Sequence, residues 1–484
     1  MNKSAIRCVF IIADTGVLSM AGLQEVTMEV KNILDQISAN VNTHSAPSHL
    51  RITDIRVTNL NGAPKHCPLI KVYTNQGLIG YGEVRDASSA TYALMLKSRL
   101  LGENPCNVDK LFRRICQFGG HSRQGGGVSG LEIALWDLAG KAWGVPLYQL
   151  LGGKFRDQIR MYCDTDVEGK HSGIDMGHAL KARMDKGFTF LKMDLGIELM
   201  IDEPGCLNAP LGFLENIKKY SAKAINHQKG SIDYDMMMGK NYEIFTIPHH
   251  ATGIHVTEKG LDYLENYVRE VRSVIGYEVP LAIDHFGHVC IEDTIRFAKR
   301  IEPYNIAWME DIAPWHYTEH YARIARATSV PICTGEDIYR HENFEPLMQA
   351  GGVSVVHPDV LTIGGALEIK KLSGLCDRYG VAMAIHMAES PIGCMAAIHC
   401  AAAVQHVLAV EYHSSDVPWW NDLAFGIDNP LIADGFANVP DTPGLGITEL
   451  NEALIAQHIH EKYPGQWEPT DQWNNEWAND RTWS

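Results

Sequence analysis

Between Arg160 and Glu411 short apolar runs alternate with longer stretches whose apolar positions recur at helical spacing. Eight runs read as strands: Arg160 to Cys163, Phe188 to Met193, Val279 to Asp284, Asn305 to Glu310, Pro331 to Glu336, Val353 to Asp359, Val381 to His386 and Val407 to Glu411. Between them lie helical patterns, such as the one carrying Leu372, Leu375, Cys376 and Tyr379, which stops at Gly380. Strand then helix, repeated, predicts a parallel sheet. Eight units, with no G-x-G-x-x-G turn after the first strand, favour a closed (β/α)8 barrel of TIM type over an open doubly wound sheet. The polar residues ending successive runs, Asp284, Glu310, Glu336, Asp359, His386 and Glu411, follow one another at 26, 26, 23, 27 and 25 residues. Each step is one βα unit, somewhat tighter than the roughly 31 residues of an average unit.

Upstream the pattern differs. From Leu50 to Val84 alternating runs flank Asn75-Gln76-Gly77 as strands flank a hairpin turn. Leu131, Ala134, Leu135, Leu138 and Ala142 then share one helical face, and Ser129 with Glu132 has the spacing of a capping box, so GGGVSG (125–130) reads as a flexible loop before a helix over Ser129 to Ala142. Sheet followed by helix predicts an α+β domain. The expected organisation is a flexible leader over 1–48, the α+β domain over 49–158, the barrel over 159–440, and a segment over 441–484. This last segment, with Trp467, Trp473, Trp477 and Trp483, is expected to pack on the first domain or on a neighbouring subunit. Between Asp194 and Asp284 the interval is 90 residues, which predicts an insertion at about 200–260 on the strand 2 loop, where it would open onto the face that carries catalysis in barrels.

Composition narrows the function classes. A chain of 484 residues, 45% hydrophobic, can bury a large core. A net charge of −16 without a basic strip argues against nucleic acid. Eleven cysteines without a C-x-x-C pair argue against a disulfide framework and a thiolate zinc site, and fit a reducing, cytoplasmic setting. No apolar run is long enough to span a bilayer, so no membrane partner is expected. Lys3 and Arg7 before Val9 to Ile12 have the outline of an export signal, but Asp14 interrupts it. His249, His250 and His255 read as a chance grouping among 22 histidines.

Residues ending barrel strands point into one shared mouth, so Asp284, Glu310 and Glu336 are expected to converge there. Three crowded carboxylates repel unless a cation neutralises them, and an all-oxygen site suits Mg²⁺, with Mn²⁺ as the alternative, one ion per subunit.

The motifs SGLEIALWDLAGKAWGVPLYQLLGG (129–153), LAIDHFGH, WMEDIAPW, PICTGEDIY, VVHPDVLTIGGALE, MAIHMAES and LAVEYH resemble, in order and spacing, those of the enolase superfamily, mandelate racemase subgroup, over about Leu50 to Gly446. The resemblance implies a barrel with an α+β capping domain, and Asp284, Glu310 and Glu336 as ligands of a Mg²⁺ that holds a substrate carboxylate and stabilises an enediolate. Removing an α-proton at neutral pH needs such stabilisation where the charge forms, and a base beside the carbon. His386 is the candidate base, with Asp359 orienting its ring, as in the family's His-Asp dyad. Strand 2 ends Lys192-Met193-Asp194, where many relatives carry Lys-x-Lys; Lys192 is expected as an electrostatic aid or alternative base, and Asp194 stands where the second lysine would be. The slot that often holds a general-acid histidine is Phe286, leaving His285 and His288 as candidates for that acid. Glu411 matches a glutamate that contacts the substrate, and His413 and Trp315 are candidate pocket residues.

The leading expectation is a dehydratase acting on a small carboxylate, an acid sugar, to give a 2-keto-3-deoxy acid, from a homo-oligomeric enzyme. The alternatives are a racemase, epimerase or cycloisomerase using the same enediolate, with Lys192 and His386 on opposite faces, and a non-catalytic protein that keeps the fold.

Overall fold

The computed structural model describes residues 28, 30–32, 45–210, 212, 214–215, 253–284, 287, 289–460, 462–463 and 465–477. After a short 3-10 turn at Pro47–His49 come three antiparallel strands, β1 (Ile52–Leu60), β2 (Cys67–Thr74) and β3 (Ile79–Glu83). Gly77 makes the β2–β3 turn in the left-handed region, at φ +79°. The inner face of this sheet buries Ile52, Ile55, Ile70 and Val72 against α1 (Val108–Ile115) and α2 (Gly125–Trp143).

Helix α2 corrects the expected loop at 125–130: it begins at Gly125. A Cβ on Gly82 would lie 2.1 Å from the Gly130 carbonyl, and one on Gly130 would lie 2.1 Å from that of Glu83. Only glycine lets helix and strand approach so closely, so tertiary packing offsets the roughly 1 kcal/mol that each glycine costs a helix. The capping box is likewise absent. Ser129 lies inside the helix with its Oγ donating to the Gly125 carbonyl, and Glu132 accepts from the backbone N–H of Ala366 and Leu367, capping a barrel helix instead.

The eight expected barrel strands are all present: β4 (Gln158–Cys163), β5 (Leu191–Asp194), β6 (Leu281–Asp284), β7 (Ile306–Glu310), β8 (Ile332–Thr334), β9 (Val355–Val356), β10 (Ala382–Ile385) and β11 (Val407–Tyr412). They pair in parallel in sequence order, and β11 closes on β4 through Val410–Met161, Glu411–Tyr162 and Tyr412–Cys163. Helices α3 (Gly173–Asp185), α4 (Glu258–Ile275), α5 (Ile291–Ile301), α6 (Thr318–Ala327), α7 (Glu345–Gln349), α8 (Ala366–Tyr379) and α9 (Pro391–Ala403) follow the first seven strands. Each buries an apolar stripe; α4 buries Leu261, Leu264, Val268, Val271 and Ile275, worth about 1.5–3 kcal/mol of transfer free energy apiece. A short strand absent from the expected set, β12 (Phe436–Asn438), pairs antiparallel with the start of β4.

One ring of side chains fills the barrel: Tyr162, Phe190, Ala282, Trp308, Cys333, Val355, Ala384 and Ala409, one per strand unit. Three aromatics cluster on one side, with Phe190 and Trp308 centroids 4.9 Å apart. The small residues opposite leave room for them.

The expected insertion leaves and returns at one place, where Leu207 and Asn208 pair antiparallel with Val256 and His255; residues 216–252 lie outside the described residues. Within 441–477 the chain touches the first sheet: Thr470 donates to the Ile55 carbonyl, and the Trp467 N–H donates to Thr58. Among the described residues no helix is long and apolar enough to cross a membrane.

Candidate active site

Side chains alternate along a strand, so the residue two positions beyond each member of the aromatic ring faces the same interior, one layer nearer the mouth. That step leads to Asp164, Lys192, Asp284, Glu310, Gly335, His357, His386 and Glu411. Period two thus builds a polar layer directly on an apolar one.

Lys192 stands at the centre of half this layer. Its ammonium lies 2.8 Å from Asp284, 2.6 Å from Glu310 and 2.8 Å from Glu411. Burial alone would pull the lysine down, but the three carboxylates outweigh it and hold it well above its ordinary value. The same three carboxylates favour its ammonium form. Glu411, opposed by burial but held by Lys192 and then His413, stays ionised well below the usual range. The second oxygen of Glu310 accepts from the Trp308 indole at 2.7 Å.

His357 was missed in the sequence. Its ring nitrogens lie 3.1 Å from Glu310 and 3.2 Å from Glu411, with the Tyr162 hydroxyl 2.5 Å away. Burial opposes its charge, but Glu310 and Glu411 push it up to about 10; its Nδ1 stands near Glu310 without a hydrogen bond, and its Nε2 hydrogen-bonds with the Tyr162 hydroxyl. The signal for it was present: it lies two residues before Asp359, on the inward face of its strand.

The other half of the mouth is built around His386. Nδ1 lies 2.6 Å from Asp359, and Nε2 lies 3.0 Å from Glu336 and 3.9 Å from Glu411. Asp359 is held in place locally, because its other oxygen caps the short helix Val360–Ile363 by accepting from Leu361 N–H at 2.6 Å. Burial pulls His386 down, yet Glu336 and Asp359 push it up to about 9 against the nearby Arg85.

Arg85, which follows β3 in the first domain, is fully buried here and was also missed. Its guanidinium reaches Asp359 at 3.3 Å, the Glu336 carbonyl at 3.0 Å, Thr362 at 2.6 Å and Asp86 at 2.5 Å. Glu389 lies 3.6 Å away, its carboxyl pushed well above the usual range by burial and by Asp359. Nothing in local spacing connects Arg85 with residues some 250 positions later. Its one signal was an Arg-Asp pair just past the end of β3.

The remaining candidates divide. His413 lies 3.2 Å from Glu411 and 3.3 Å from Asp164. Asp194 pairs in register with Asp284. Trp315 packs on His121 from the first domain, centroids 4.3 Å apart, with no contact to the dyad among those observed. His285, His288 and Phe286 lie outside the described residues.

The donor chemistry fits a hard divalent cation. Lys192 lies 2.8 Å from Asp284 and 2.6 Å from Glu310, while Glu336 lies 3.0 Å from His386. Among the described residues the three acids do not form a group whose ligand atoms all lie within 4.8 Å of one another. Burial, then Glu336, Asp284 and Glu310, push the neighbouring Asp311 carboxyl well above the usual range. Glu336 also keeps a proton on His386 unless its own charge is engaged elsewhere, as a cation ligand's would be.

Residues 175–453 match the family described as enolase C-terminal domain-like, and residues 38–152 match the mandelate racemase/muconate lactonizing enzyme N-terminal domain. The chain belongs to this family of the enolase superfamily. Among similar proteins, the D-xylonate dehydratase of Haloferax volcanii is 30% identical over 415 residues, covering 84% of this chain and 89% of its own. The D-galactonate dehydratase of Ralstonia pickettii is 26% identical over 418 residues, covering 82% and 92%. A crystal structure of a mandelate racemase/muconate lactonizing enzyme-like protein from Rubrobacter xylanophilus superposes with a TM-score of 0.70 at 28% identity, covering 86% of this chain and 99% of that one. Members of the enolase superfamily generally bind Mg²⁺ through acidic residues. The family member described here is an enzyme, not a non-catalytic protein that keeps the fold.

Proposed function

We propose that the chain is a Mg²⁺-dependent acid-sugar dehydratase. The observation that carries this reading is the His386–Asp359 pair at 2.6 Å, facing across the mouth a lysine held cationic by three carboxylates. The dehydratase names of the relatives from Haloferax volcanii and Ralstonia pickettii support the substrate class.

Asp284, Glu310 and Glu336 would hold the ion, which when bound supplies positive charge to the substrate carboxylate. His386 takes the α-proton at Nε2, while Asp359 on Nδ1 fixes the tautomer and stabilises the imidazolium. The Lys192 ammonium, already oriented and dry, faces the negative charge that develops on the carboxylate oxygens. The β-carbon–oxygen bond then breaks, and the hydroxyl leaves as water with a proton from His285 or His288. The enol tautomerises to a 2-keto-3-deoxy acid. Asp194, standing where many relatives carry the second lysine of Lys-x-Lys, weighs against a racemase with bases on two faces.

Incubation of the purified protein with Mg²⁺ and a panel of aldonates and aldarates, including D-xylonate and D-galactonate, tests this by assay for 2-keto acid. A 2-keto acid from at least one is expected. Solvent deuterium incorporation at the α-carbon, or isomerised product, with no 2-keto acid from any substrate would overturn the dehydratase reading in favour of an isomerase.

A further inference from the structure

Where the 207–256 excursion returns to the barrel, metal-binding side chains converge that belong to none of the layers described above. His255 lies on the returning two-residue strand, Cys290 precedes α5, and Asp293 sits in the first turn of that helix. The His255 Nδ1 is 3.2 Å from Asp293 Oδ2 and 3.2 Å from Cys290 Sγ, and Cys290 Sγ is 3.2 Å from the same Asp293 oxygen. We propose that His255, Cys290 and Asp293 form a second metal site, for a Zn²⁺-class ion.

The triangle has the size of a tetrahedral face. Zinc–ligand bonds of about 2.0–2.3 Å put neighbouring donors roughly 3.3–3.6 Å apart, slightly wider than the hydrogen-bonded triangle seen here. The third donor is already oriented. Asp293 is buried, its Oδ1 accepts from Arg296 at 2.8 Å and its Oδ2 from the Val256 N–H at 2.9 Å, the kind of support that fixes a ligating carboxylate. Among the described residues the His255 side chain is 58% exposed, which leaves that donor accessible to an ion.

A thiol, an imidazole and a carboxylate together select a borderline-soft ion, unlike the all-oxygen set at the barrel mouth. The arrangement does not suit a nucleophilic relay. Such a relay places the nucleophile on one ring nitrogen of the histidine and the carboxylate on the other, whereas Cys290 and Asp293 share one nitrogen and touch each other. Burial and Asp293 hold the thiol up at about 11, so in the resting protein it is a donor, and metal binding releases its proton. An ion here ties the return of the excursion to the start of α5, and so to the connection that follows Asp284. The sequence hid this site because its ligands are 35 and 3 residues apart, without a C-x-x-C pair.

The full-length protein, stripped by chelator and titrated with Co²⁺ in excess Mg²⁺, tests the site. A thiolate-to-cobalt charge-transfer band in the near ultraviolet, saturating at one ion per chain, is expected. Cys290→Ser should abolish the band, and His255→Gln should weaken Co²⁺ binding by more than the roughly 10–100-fold that loss of a supporting residue costs. Far-ultraviolet circular dichroism of both variants checks that they fold, and either one suffices if the other does not. No band in the wild-type protein, a band of full intensity in folded Cys290→Ser, or unchanged Co²⁺ affinity in folded His255→Gln would overturn the proposal.

Discussion

The two halves of the barrel mouth are built differently. Lys192, Asp284, Glu310, His357 and Glu411 all come from strands or the positions just beyond them, and their charges are engaged with one another over 2.6–3.2 Å. His386 and Asp359 meet Glu336, Glu389 and Arg85, which come from connections after strands and from the other domain. The first half is a charge-compensated layer dictated by the pleat. The second is assembled by tertiary packing and turns one imidazole nitrogen toward carboxylates that have other work to do. The contrast teaches that the mouth is built in two ways: one half pairs charges along neighbouring strands, the other holds one imidazole among groups brought together from distant parts of the chain.

The largest effect expected of a single substitution is from Lys192→Met. It leaves three buried carboxylates without their shared cation, so it should abolish turnover and cost about 3–5 kcal/mol of stability, read as a large fall in Tm. A variant that kept its Tm would break the view of this half as a structural charge layer. His386→Asn should separate the halves. It is expected to lower kcat by about 10²–10⁴-fold, with a small change in Tm, measured by single-turnover assay and thermal melt. A Tm fall as large as that of Lys192→Met would erase the distinction.

The proposed metal site would span both halves, because its candidate ligands do. Mg²⁺ at a hundred times its Kd should stabilise the protein by about 2.7 kcal/mol, and Asp284→Asn should lose the response. An unchanged melt with Mg²⁺ and with EDTA would remove the ion from the account.

The smallest effect concerns a buried histidine outside the mouth. His357 is pushed up by carboxylates, whereas His399, with no carboxylate among the described residues to pair with, is held by burial at about 4 while its Nδ1 accepts from the Tyr148 N–H at 3.4 Å. A pKa lowered on folding means that the unfolded chain binds the proton first. Its contribution is therefore complete above about pH 6.5 and is lost as pH falls toward 4. His399→Gln should flatten the stability curve in that window, measured by denaturant unfolding. An unchanged slope would show that His399 does not titrate so.

Much of the barrel could be read directly, because parallel strands carry apolar runs and their polar ends recur once per unit. Asp284, Glu310, His386 and Glu411 stood out for that reason. His357 was open to the same period-two count but was overshadowed by Asp359, which ends its run. Arg85 and Glu389 had no local pattern to show them. The helix start departs from the expectation for a different reason: the glycines of Gly125 to Gly130 have poor helix propensity, and close backbone approaches from Thr362, Arg85, Tyr92 and Glu83 make that glycine run favourable. Ser129 and Glu132 have the spacing of a cap, yet Glu132 accepts from the start of α8, on the barrel.

The sequence by itself determined the barrel, the order of its strands and the acids at their ends, because alternation and repeat length act over a few residues and are written locally. Only the tertiary structure decided which charges are compensated, that Arg85 crosses from one domain to brace the dyad of the other, and that His255 meets Cys290 and Asp293. Those outcomes depend on distances between residues far apart in the chain, where burial strengthens every pairing and no local spacing records it.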